Sequence, residues 1–108
     1  MSGDEARLGP LDQVPVGEGR AFRVGDDQVA VFRTRSGGLH ALAAVCPHRG
    51  GPLADGLVDT DVVMCPLHDH RFSLTDGSCA TGTDAVAAYA VREEDGELVV
   101  GTQRVPSP

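Results

Sequence analysis

Two short boxes carry the donors best suited to metal chemistry. Cys46-Pro47-His48 is followed, sixteen residues later, by Cys65-Pro66-Leu67-His68, so each cysteine has a histidine within three positions. Two thiolates and two imidazoles suit either zinc or an iron–sulfur centre. The spacing alone does not separate the two. The chain has three cysteines, an odd count, and its first residues, MSGDEARLGP, contain no apolar signal region. In that context Cys/His pairs read as metal ligands before disulfides.

Such donors need rigid elements behind them, and the boxes fall where strands end. Short β-rich runs punctuated by turn signals recur along the chain: 19–24, 28–34, 39–45, 57–60, 62–64, 71–74, 85–93 and 97–103. Cys46 closes the run 39–45 and opens PHRGGPLADG; Cys65 closes 62–64 and opens PLHD. Pro47 and Pro66 fix φ beside each cysteine, and Gly50 and Gly51 let backbone N–H groups approach a centre closely. Glu94-Asp95-Gly96 signals a hairpin between the last two runs. The pattern predicts an all-β antiparallel sandwich or barrel in one domain, residues 1–108, with two loops at about 45–75 facing each other across a metal. Residues 1–9 and 105–108 are expected to be loose.

Bulk composition excludes several functions. Nine basic against sixteen acidic residues give a formal charge of -7, the wrong sign for nucleic-acid binding and the right one for a basic protein partner. No apolar run is long enough to span a bilayer, and the expected location is cytoplasmic. No Ser/His/Asp arrangement or phosphate loop stands out, so no catalytic residue is assigned and no turnover is expected of the chain alone.

With their flanks, CPHRGGPL and CPLHDHRFSLTDG closely resemble the binding motif of Rieske iron–sulfur proteins. DQVAVFRTRSGGLHAL and the final hairpin extend the resemblance over most of the chain. The resemblance implies a Rieske-type β fold with a two-loop cluster-binding subdomain and one [2Fe–2S] cluster per chain. Cys46 and Cys65 would hold one iron and His48 and His68 the other. A structural zinc module is the alternative of another class. Neutral histidines in place of two thiolates leave the site less negative, so it accepts an electron more readily.

The high-potential members carry an extra cysteine in each box, joined as a disulfide; the matching positions here are Gly51 and Leu67. They also set a serine and a tyrosine hydroxyl against the cluster sulfurs, where this chain has His70 and Phe72. Fewer hydrogen bonds to sulfur imply a lower potential. GEGRAFRV, QVAVFRTRSGG and RFSLTDGSC look most like the small subunit of assimilatory NAD(P)H nitrite reductase. A ferredoxin component of a ring-hydroxylating dioxygenase would have nearly the same boxes. Either reading implies a reductase or oxygenase protein partner, with no nucleic acid and no membrane, and leaves the oligomeric state open. Among the remaining residues, Cys79 reads as small and semi-buried, His40 as structural or exposed, and His70 as a surface or supporting group. Arg49, Arg71, Asp55, Asp59, Asp61 and Asp69 read as a solvated polar rim. CATGTDAV lacks the proline that family members carry in the loop after the second box.

Overall fold

The computed structural model describes residues 5–25, 27–44, 53–59, 61–65, 70–79 and 85–105, with side chains up to residue 101. Among these residues are nine strands: β1 (Glu5–Pro10), β2 (Glu18–Val24), β3 (Asp27–Arg33), β4 (Leu39–Ala43), β5 (Leu57–Asp59), β6 (Val62–Met64), β7 (Arg71–Ser73), β8 (Ala88–Glu94) and β9 (Glu97–Val105). Single 3-10 turns lie at Leu11–Gln13 and Leu53–Asp55, and no α-helix occurs among the described residues. No helix there is long and apolar enough to cross a membrane.

A large antiparallel sheet runs in the order β1-β9-β8-β4-β3-β2, and a small one in the order β5-β6-β7. The expected all-β fold is thus present. Asp95 and Gly96 both have positive φ, 54° and 80°, between the paired Glu94 and Glu97. That is the two-residue turn whose twist matches a hairpin, as the EDG signal predicts.

The β-rich run 28–34 is not a half-exposed strand. Val29, Ala30, Val31 and Phe32 are all fully buried, because both faces of β3 are covered. Val29 and Val31 join Val14, Ala41, Tyr89, Leu98 and Val100 in one cluster. Ala30 and Phe32 join Leu42, Leu53, Val63, Cys65, Phe72 and Leu74 in the other. The second cluster is where the small sheet packs on the large one.

One expectation fails. Of residues 1–9, expected to be loose, those from residue 5 on belong to β1, which pairs antiparallel with β9 from Glu5↔Gly101 to Pro10↔Glu97. Side chains hold it as well. Arg7 bonds Glu94 at 3.0 Å, and Arg92 bonds Glu94 at 3.0 Å and both oxygens of Glu5. Arg7 and Arg92 flank Val99 in the register of β1, β9 and β8. Val99 is only 2 % exposed and belongs to neither core cluster. It is buried on the outer face between the two arginines, whose aliphatic stems are suited to cover it. Val105 closes β9 rather than fraying, while residues 1–4 and 106–108 lie outside the described residues.

Candidate metal centre

The two box-bearing loops leave and return at pinned bases. After β4, the buried Ala44 donates its N–H to Gln28 O at 3.0 Å and accepts Leu53 N–H at 2.8 Å. The described residues on either side of 45–52, the stretch with Cys46 and His48, are therefore joined. After β6, Cys65 N–H donates to His70 O at 2.8 Å, joining the described residues on either side of 66–69, which include His68. A third segment, 80–84, is pinned by Val86 N–H on Gly77 O at 2.9 Å. Ala44, Leu53, Cys65, Phe72 and Val86 share one apolar cluster, so the three bases are set in a common core.

Of the four candidate ligands, Cys65 is the one among the described residues. It is fully buried and makes no disulfide. Cys46, His48 and His68 lie outside the described residues, as do Arg49, Gly51, Leu67 and Asp69. The donor set fits the cluster implied by the motif. A buried thiol free of any disulfide is able to serve as a soft ligand, and the sequence offers Cys46 and His48 in the other box and His68 in its own to complete the set.

The neighbours divide between core and rim. Phe72 is fully buried and pairs with Val63 across the small sheet. Cys79 is partly buried, bridges to Phe72 through the backbone and packs on the same cluster as Cys65. His70 is partly buried and its carbonyl closes the second loop. Asp55, Asp59, Asp61 and Arg71 are exposed.

His40 has a role that sequence reasoning left open. It sits on β4 close to the Leu74 backbone, which follows β7, while Leu74 N–H bonds Asp61 O at 2.7 Å. It thereby lies where the large sheet meets the small one. Burial lowers its pKa below the ordinary histidine value, opposed by the Leu74 backbone and by Asp61. An isolated histidine in an alternating strand carries no sequence signal for such a place.

The family model of the Rieske [2Fe–2S] domain matches residues 5–92, which include both boxes. The chain is 34 % identical over 95 residues to the anthranilate 1,2-dioxygenase ferredoxin subunit of Burkholderia cepacia, covering 86 % of this chain and 87 % of that one. It is 33 % identical over 99 residues to the cytochrome b6-f complex iron-sulfur subunit of Chlorobaculum tepidum. That alignment covers 90 % of this chain but only 53 % of the subunit, about half its length. Among solved structures, a chain assigned as an NADH-dependent nitrite reductase small subunit from Mycobacterium tuberculosis superposes with a TM-score of 0.85 at 28 % identity, covering 93 % of this chain and 96 % of that one. Matched by the domain model over most of its length, and at a third identity to a ferredoxin that it nearly spans, this chain belongs to the Rieske [2Fe–2S] domain family, with the cluster as its cofactor.

Proposed function

We propose that the chain passes single electrons to a nitrite reductase as its small subunit, and that Cys46, His48, Cys65 and His68 hold the cluster. The observation that carries the reading is the pinning of both box-bearing loops on one core cluster. Ala44–Leu53 and Cys65–His70 fix the ends of two loops whose four donors complete a Rieske ligand set. When bound, the cluster supplies one-electron chemistry at a potential above that of four-cysteine ferredoxins. The protein's part is to keep Cys65 dry in the core, to brace the loops and to present the histidine boxes to a partner. The resemblance to a nitrite reductase small subunit along nearly the whole chain supports the choice of partner.

A second reading is kept for one reason: the anthranilate dioxygenase ferredoxin is the more identical in sequence, at 34 %. Deleting the gene separates the two. Loss of growth on nitrite as sole nitrogen source, with co-purification of a large reductase subunit, supports the first. Normal growth on nitrite with loss of aromatic-ring hydroxylation supports the second. The ligand set is tested on anaerobically purified protein, which should hold two irons and two acid-labile sulfides per chain. Cys46→Ser or Cys65→Ser should abolish the visible spectrum, and retention of a full cluster in either variant refutes the assignment.

A further inference from the structure

The outward face of the small sheet is apolar where a solvated sheet face should be polar. Val63 and Phe72 point inward and are fully buried. The opposite face carries Leu57, Val62 and Met64, ringed by Asp59, Asp61 and Arg71 around a surface groove of about 400 Å³. Leu57 is 73 % exposed, the larger of the two exposures of big apolar side chains among the described residues. It also borders a second groove, with Gly17, Arg35 and Ser36. A contiguous apolar patch with a polar rim is the usual mark of an interaction site.

Register ties this face to the candidate ligands. Leu57 pairs with Met64 and Met64 with Arg71. Met64 directly precedes Cys65 and Arg71 directly follows His70, so this is the last cross-strand row before residues 66–69. A specific interface covers about 800 Å² per partner, more than any four residues offer. A protein that reaches residues 66–69 must spread onto adjoining surface, and this row adjoins them. The charges indicate what kind of protein. Asp59 and Asp61 rim the groove on a chain of net charge -7, which favours a basic partner and disfavours a second copy of the same chain.

We propose that the Leu57–Met64–Arg71 face is the docking surface for the electron-exchange partner, which seats Leu57 in an apolar socket ringed by basic side chains. The proposal rests on the functional reading above and adds where the partner binds. The test uses cluster-loaded chain and two purified probes from the same organism, the nitrite reductase large subunit and the reductase of a ring-hydroxylating system. Binding is measured by surface plasmon resonance alongside the rate of electron exchange. Iron content and the visible spectrum check that each variant is folded.

Leu57→Asp should weaken binding at least about tenfold to whichever probe exchanges electrons with the wild type, as loss of an anchor residue does. Asp61→Lys should slow association and flatten its salt dependence. Leu57→Asp binding within about twofold of wild type, to a probe that does exchange electrons, overturns the docking surface and leaves the function standing. A wild-type dimer in analytical ultracentrifugation that Leu57→Asp dissolves makes a second copy the occupant and also overturns it. Exchange with neither probe sinks the functional reading, and the surface falls with it.

Discussion

Gly77→Ala should be among the most damaging single-methyl additions in the chain. Gly77 lies in the turn after β7 with φ at 78°. It donates to Ser73 O at 2.8 Å and accepts Val86 N–H at 2.9 Å, the bond that pins residues 80–84. A Cβ there would stand 2.1 Å from Val86 O and 3.0 Å from its carbonyl carbon. Both are backbone atoms, so no side-chain rotation relieves the overlap and the two segments must part. The left-handed conformation costs an L-residue about 1–2 kcal/mol, and losing the Val86 bond about 1 kcal/mol more. A total of about 2–3 kcal/mol is a large share of a stability of about 5–15 kcal/mol. At about 4–8 °C per kcal/mol for a domain near this size, the midpoint should fall by about 8–24 °C. Gly96→Ala is the matched control: its φ is 80°, yet nothing lies within 4 Å of the added methyl. It carries the backbone strain without the collision. Urea and thermal midpoints of the loaded chain, followed by circular dichroism, give the comparison. If Gly77→Ala is no worse than Gly96→Ala, the claim that close packing on Val86 braces the third loop is wrong.

Phe72→Tyr should raise the reduction potential from the low end of the Rieske range, about -150 mV. The new hydroxyl enters the cluster of side chains that contains Cys65 and needs an acceptor there; voltammetry checks it, and an unchanged potential with about 1–3 kcal/mol lost to an unsatisfied hydroxyl refutes it. His40 predicts a distinct acid sensitivity. Its folded pKa is depressed, so the unfolded chain takes the proton first; stability is full above about pH 6.5 and falls as pH drops below it. His40→Gln should flatten that segment in urea midpoints. Glu5 and Asp76 are also shifted, but downward from carboxylate values, so their losses begin in a lower window and do not mask it.

The chemistry of this chain is legible because a ligand box is local: residues 46–48 and 65–68 announce themselves within a few positions. The strands flanking them are legible for the same reason, each being a short alternating run closed by a turn residue. What escapes a linear reading is whatever depends on a distant partner. Glu5–Pro10 contains a glycine and a proline and reads as a tail. Its strand exists because β9 and the Glu5–Arg92 and Arg7–Glu94 pairs hold it from the other end of the sequence. The run read from Ala85 begins as a strand only at Ala88, although Ala87 O already accepts Ala43 N–H at 2.8 Å. The double burial of β3 depends on the small sheet packing over it. Of the site itself, Cys65 is placed in the core at a loop base, a fact that spacing does not convey.

The pairing of β1 with β9 also sets an order of events during synthesis. Its contacts join residues separated by nearly the whole sequence, from Glu5↔Gly101 to Pro10↔Glu97. Contacts of that range form late, since the loop between them must close first. Every candidate ligand, through His68, is translated before β8 and β9 exist. The six-stranded sheet is therefore completed last, by the β8–β9 hairpin and the β1–β9 pairing.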